Sequence, residues 1–259
     1  MSGSAAGEET GAGQSAGEPG ARAAVLFDLD GTLLDPAGAI TETMAEAIEA
    51  RGHPRPDEQT LRRFVGPPAE TSLRELTAIP LPEHAAILAD YRAAYPARAR
   101  RDSRLYPGIR PLLDRLSADP DVVLAVATQK PLPTARLILE AFDLTDCFDV
   151  VCGARDARDE RCRSLPDDKP GIIALALHQL QESGPLERSR SMMVGDRVYD
   201  VEGARSNGLP CAGVAWGFGG QDELRRAGAQ WIVEDSGQLC ELIERHLHLS
   251  RHRGLHRAT

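Results

Sequence analysis

The chain of 259 residues is poor in aromatics, at 4%, and poorer still in lysine, with two lysines beside 28 arginines. Aliphatic residues and alanine must therefore fill most of its core. No apolar run approaches the roughly 18 residues of a membrane span, so no transmembrane helix is expected. The opening stretch (MSGSAAGEETGAGQSAGEPGAR) has no apolar signal region and carries Glu8, Glu9 and Glu18. It does not read as a secretory leader, and the expected location is the cytoplasm. There is no CxxC pair, and the five cysteines (Cys147, Cys152, Cys162, Cys211, Cys240) are odd in number. Neither a disulfide framework nor a structural zinc site is expected. Excess positive charge is also missing: 30 Lys and Arg against 39 Asp and Glu give −9. Nucleic-acid binding needs a concentrated basic surface, so no such partner is expected.

What remains is an ordinary soluble composition, 42% hydrophobic and 27% charged. Residues 1–21 are Gly, Ala, Ser and Glu without period and read as a disordered tail. Residues 249–259 are basic and read as a flexible end. Between them, short continuous apolar runs at 23–27, 122–127, 148–152, 191–194, 212–216 and 231–233 alternate with helical patterns at 109–117, 134–142, 172–181, 199–206 and 239–247. That alternation implies an α/β fold with a doubly wound, mainly parallel, Rossmann-like sheet covered on both faces. Residues 39–105 break the pattern. They read as helices only (41–51, 61–64, 70–77 and 83–99) and are too long for a loop, so they form a helical insert after the first strand. The core then comprises 22–38 and 106–248.

In an open parallel sheet, ligands bind beyond the carboxyl ends of the strands. The first strand ends in Asp28-Leu29-Asp30-Gly31-Thr32-Leu33, the second in Thr128-Gln129-Lys130, and a later one in Gly195-Asp196 with Asp200 four residues on. Lys169 starts a helix after the loop RCRSLPDD. All of these fall at one edge if the strands are parallel. Asp28 and Asp30 project alike from an extended segment, and Asp196 and Asp200 share a face of a helical turn. Four converging carboxylates need cations. Lys169 offers one, and all-oxygen ligation suits Mg²⁺ for another. A chain that otherwise uses arginine keeps lysine at two places, Lys130 and Lys169, where a compact point charge fits a tight anionic pocket better than a planar fork.

The strings DLDGTLLD and GDRVYD, with the strand-ending Thr128 and with Lys169 between them, resemble the four ordered motifs of the haloacid dehalogenase (HAD) superfamily over residues 23–235. The insert resembles that superfamily's C1 cap. FVGPPAETSL, LYPGIRPLL, ATQKP and GVAWGFGG are similar to phosphoglycolate-phosphatase-like members, and the same strings occur in related 5′-nucleotidase-type phosphatases. The resemblance implies a Mg²⁺-dependent phosphatase acting on a small soluble phosphate monoester through an aspartyl-phosphate. It assigns Asp28 as nucleophile and Asp30 as general acid and base. Asp28, the Asp30 carbonyl and Asp196 would hold Mg²⁺, with Asp200 supporting directly or through water. Thr128 and Lys169 would bind the phosphate, and Lys130 would stand behind the site or face the substrate. Arg62, Arg63 and the Gly66-Pro67-Pro68 turn are the candidates for substrate contacts from the cap. Asp30 argues against a dehalogenase, and a cap without lysine argues against phosphonate cleavage. The open alternatives are a 5′-nucleotidase, then a sugar phosphomutase, and beyond enzymes a non-catalytic binding protein. The expected assembly is a monomer or homodimer.

Other signals read as structural. His246, His248, His252 and His256 lie in the terminal region, and Arg155, Arg158, Arg161 and Arg163 alternate with acids as in an exposed loop. Gly217, Gly219 and Gly220 lack the Lys-Ser/Thr of a phosphate loop and read as a turn near the site. Arg197 either supports the fourth motif or faces solvent.

Overall fold

The protein is described by a computed structural model that covers residues 20–36, 38–156 and 159–255, the last eight by backbone alone. The disordered tail expected over 1–21 therefore falls almost wholly outside the described residues, as do Arg158, His256 and the side chains of His248 and His252. Six parallel strands form the central sheet: β1 (Ala23–Phe27), β4 (Val122–Pro131), β5 (Val150–Ala154), β6 (Met192–Gly195), β7 (Cys211–Val214) and β8 (Trp231–Val233). Their spatial order is β5-β4-β1-β6-β7-β8. The chain runs outward from β1 through β4 to β5, then returns past β1 to β6, which puts the reversal of winding at β1.

The strands read as continuous apolar runs because both faces are covered. Ala23, Val25 and Phe27 face one layer, which includes α5 (Ile109–Ser117), α6 (Leu132–Ala141) and α10 (Ser236–Leu255). Ala24 and Leu26 face the other, built from α7 (Lys169–Glu182), α8 (Val198–Ser206) and α9 (Gly220–Ala227). The strand period of two sorts them.

Between β2 (Leu34–Asp35) and β3 (Arg104–Leu105) come α1 (Ala39–Glu49), α2 (Glu58–Arg62), α3 (Ala69–Leu76) and α4 (Leu81–Asp102). Ile40, Met44, Ile48, Leu73, Ile87 and Tyr95 of these helices join the same buried cluster as Phe27 and Leu29. The insert thus packs directly over the carboxyl edge of the sheet.

Several boundaries differ from the sequence reading. Residues 104–105 are a strand, not helix, and pair antiparallel with β2 in a two-stranded ribbon. Strands of two residues carry no readable period. Helix α9 is absent from the sequence reading because its glycine-rich start resembles a turn. Helix α10 continues to Leu255, past the boundary expected at 248. Pro96 sits inside α4 without ending it. All five cysteines are free thiols, and no described helix is long and apolar enough to cross a membrane.

Leu26 is fully buried between β1 and the α7 layer. Truncation to alanine leaves a cavity that the packed sheet cannot close, costing about 2–5 kcal/mol. Urea unfolding of Leu26→Ala measures this, and a loss below about 1 kcal/mol would contradict the packing described.

Candidate active site

The side-chain parity that points Ala24 and Leu26 toward α7 carries Asp28 to the same side. There Lys169 stands as the first residue of that helix. Its Nζ donates to Asp28 Oδ1 at 2.6 Å and to the Ala127 carbonyl at 2.9 Å. The same ammonium lies 2.7 Å from Asp200 Oδ1, an ion pair without the alignment of a directed hydrogen bond. Burial works against the Lys169 charge, but Asp200 and Asp28 outweigh it, and its pKa is raised. A glycine on α8 makes the passage possible: a Cβ at Gly203 would come within 2.7 Å of Lys169 Cγ.

After Asp30 the chain turns sharply at Gly31, whose φ of +85° suits glycine. A Cβ there would collide with the Asp196 carboxylate. Asp196, fully buried, accepts from the Phe218 backbone N–H at 2.7 Å and from Thr32 Oγ1 at 3.4 Å. Asp200 Oδ2 accepts from the Arg197 N–H at 3.0 Å, closing the first turn of α8. One carboxylate oxygen from each of Asp28, Asp196 and Asp200 lies within 4.8 Å of the others.

Three carboxylates face one ammonium here, which leaves two negative charges in a buried site. The carboxyls record the strain. Burial first, then Asp200 and Asp28, raise the Asp196 pKa well above its ordinary range. Burial raises Asp200 to about 6 even against the pull of Lys169. A divalent cation would cancel the excess, and an all-carboxylate donor set fits Mg²⁺. The residues present therefore fit the ion that the sequence suggests.

Asp30 is held apart from this triad by the second lysine. The parallel pairing of β4 with β5 shifts register between Thr128 and Pro131, and this irregularity aims Lys130 into the site. Its buried Nζ donates to Asp30 Oδ2 and, at 2.8 Å, to Tyr95 Oη of α4. Burial raises the Asp30 pKa more than Lys130 lowers it. Thr128 Oγ1 accepts from the Lys130 N–H at 3.3 Å, which leaves its hydroxyl proton to donate elsewhere.

Asp28, Asp30, Thr128 and Lys130 border a cavity of about 420 Å³ between the sheet edge and the insert. Of the residues expected at the site, the structure thus brings together Asp28, Asp30, Thr128, Lys169, Asp196 and Asp200. Arg62 and Arg63 do not line this cavity. Both are exposed, and Arg62 stands 5.8 Å from the Phe218 ring centre. Their charge suggested a phosphate contact, but α2 turns them outward. The Gly66-Pro67-Pro68 turn does line it.

Lys130, ambiguous in the sequence, is bound at the site's centre. Tyr91 and Tyr95 were not foreseen. They stack at 5.3 Å along one face of α4, and their spacing of four in a chain with four tyrosines was the available signal. Arg197 supports the fourth motif and also reaches the insert, pairing with Glu223 at 2.9 Å and donating to the Val65 carbonyl. His246 packs edge-on against Trp231. Arg155, Arg161 and Arg163 each meet a nearby acid.

The fold and this site define a class, and comparison with known proteins agrees. The family described as "Haloacid dehalogenase-like hydrolase" matches residues 25–214. The Mycobacterium tuberculosis protein named "Tyrosine-protein kinase PtkA" is 39% identical over 85% of this chain and 71% of its own length. A "5'-nucleotidase" of Pseudomonas aeruginosa is 32% identical over 86% of this chain and 96% of its own. A "Phosphoglycolate phosphatase" of Vibrio parahaemolyticus is 26% identical over 85% and 95%. The crystal structure of a "predicted phosphatase" from Clostridium acetobutylicum superposes with a TM-score of 0.75 at 35% identity, covering 86% of this chain and 99% of that one. The chain belongs to the haloacid dehalogenase-like hydrolases. Within them it is an enzyme of the phosphatase kind.

A cation bound to the triad stabilises the folded state by mass action, about 2.7 kcal/mol at a hundred times its Kd. Adding Mg²⁺ to chelator-treated protein raises the thermal midpoint, and Asp196→Asn loses that rise. The sign with pH follows from Asp200, raised from its ordinary 3.8 to about 6. The folded metal-free state holds this proton more tightly than the unfolded chain, so this contribution lowers stability as pH rises from 3.8 through about 6. The gain from Mg²⁺ is therefore larger at pH 7 than at pH 5. Equal gains at both, or an unchanged rise in Asp196→Asn, would contradict the site.

Proposed function

We propose that the protein is a Mg²⁺-dependent phosphatase that hydrolyses small soluble phosphate monoesters through an aspartyl-phosphate on Asp28. The observation that carries this reading is the Asp28 carboxylate, fixed on one oxygen by Lys169 and set at the mouth of an enclosed cavity beside Asp30. An isolated carboxylate is a weak nucleophile toward a phosphate dianion because the two repel. Lys169 holds the charge balance at the point of approach, and Thr128 donates its hydroxyl to a phosphoryl oxygen. Asp28, Asp196 and the Asp30 carbonyl would hold Mg²⁺, with Asp200 supporting it directly or through water, and the ion would supply further neutralisation of the phosphoryl oxygens.

In the first step an Asp28 oxygen forms a bond to phosphorus while the ester P–O bond breaks, and Asp30 gives its proton to the departing alkoxide. Burial raises the Asp30 pKa, which favours the protonated carboxyl this role uses, and Lys130 stabilises the carboxylate that the transfer leaves behind. In the second step that carboxylate takes a proton from water, which attacks the aspartyl-phosphate. Inorganic phosphate leaves and Asp28 is regenerated. The helical insert acts as a cap that excludes bulk water. Lys130 and Arg197 anchor it to the core through Tyr95 and Val65.

Release of inorganic phosphate from a panel of esters tests the reading. Release depends on Mg²⁺, and Asp28→Asn lowers kcat by at least about 10³-fold, the scale seen when a nucleophile is removed. Asp30→Asn lowers hydrolysis of alkyl esters more than of p-nitrophenyl phosphate, whose leaving group needs no proton. A mutase would leave total organic phosphate unchanged, and a kinase would phosphorylate a tyrosyl peptide from ATP. Either result without hydrolysis would overturn the proposal.

A further inference from the structure

One wall of the cavity is the Gly66-Pro67-Pro68 turn, which leads from α2 into α3. Each proline fixes its own φ, so the turn moves as a piece with the residues at its ends. Phe64 and Val65, at its leading end, are buried. A core side chain that does not itself line the cavity, Arg197, binds that end.

The seat of Arg197 is built from both halves of the molecule. Its Nε donates to Glu223 Oε1 of α9 at 2.9 Å, and the Val198 N–H donates to the same oxygen at 2.9 Å. Glu223 thereby fixes the guanidinium as well as the start of α8. From that fixed fork Nη1 donates across to the Val65 carbonyl of the insert. Glycines flank the side chain on either side. A Cβ on Gly219, in the core, would come 3.2 Å from Arg197 Cδ, and one on Gly66, in the insert, 3.0 Å from Nη1. Gly66 also has a φ of +108°, a conformation that suits glycine. A planar fork can hold an acid with one edge and a carbonyl with another, which a single ammonium does less well.

The insert's other polar tether, Lys130 to Tyr95, ends on Asp30 and so belongs to the reacting groups. Arg197 is different in kind. On the insert it grips backbone alone, at the end of the turn that walls the cavity.

We propose that Arg197 is a positioning residue that holds the Val65–Pro68 edge of the insert shut over the cavity. Substrate affinity then depends on a side chain that lies outside the substrate's cavity.

Hydrogen exchange and ester kinetics test this on the full chain with Mg²⁺. Arg197→Met keeps the bulk of the stem and the residue 197 N–H bond to Asp200, and removes the fork. Exchange of amides 61–72 quickens at least about 10-fold, the scale of a hydrogen bond from a charged donor. Helices α1 and α4 exchange as before, which separates opening of this edge from unfolding of the insert. With p-nitrophenyl phosphate, KM rises by more than kcat falls, because apparent affinity scales with the closed fraction. The rise of the thermal midpoint with Mg²⁺ is kept. Gly66→Ala disturbs the same seat from the insert, and in the double variant the losses combine to less than their product. Unchanged exchange at 61–72, an unchanged KM, independent losses in the double variant, or loss of the Mg²⁺ response in Arg197→Met would overturn the assignment. The kinetic arm rests on the phosphatase reading and the exchange arm does not. Quickened exchange in a chain whose wild type hydrolyses no ester would overturn the phosphatase and leave Arg197 as the residue that shuts the insert.

Discussion

Everything at the catalytic edge depends on one buried ammonium serving two carboxylates. Lys169 meets Asp28 and Asp200 at once, with all three side chains buried. Removing it would leave the acids repelling one another inside the protein, and a planar guanidinium fork does not reproduce a compact ammonium placed between two carboxylates. The constraint reaches outward. Helix α7 must begin where it does, α8 must carry a glycine, and β1 must end with Asp28 on the α7 side. The remaining negative charge on the three acids is of the sign and donor type that suit a divalent cation.

The division of labour follows from geometry. Groups suited to breaking a P–O bond come from the ends of β1, β4 and β6 and the start of α7, all on a rigid sheet. The opposite wall of the cavity comes from α1, α3 and α4, packed over it.

The sheet was legible because its two buried faces demand unbroken apolar runs, and the acids stood out because Asp28 and Asp196 close such runs, with Asp30 and Asp200 two and four residues on. Lysine scarcity made Lys130 and Lys169 conspicuous before any contact was known. Other features left no comparable trace. The β2–β3 ribbon has two residues per strand and no period to detect. Lys130 reaches Asp30 only because β4 slips register after Thr128, which depends on its pairing with β5. Arg62 and Arg63 looked like anion ligands because charge is visible in sequence while the outward turn of a short helix is not. Tyr91 and Tyr95 show the converse: a spacing that fits a helix surface says nothing of what lies opposite.

The same scarcity has a consequence for handling the molecule. Both lysines are buried, Lys130 at 9% exposure and Lys169 at 4%, and the other basic side chains are arginine and histidine. Apart from its amino terminus, the folded exterior presents no primary amine. Reagents that acylate or crosslink amines therefore find almost nothing to attack on the native surface. Side-chain labelling by such a reagent reports exposure of the buried sheet edge that holds both lysines, so the chain carries its own chemical gauge of unfolding.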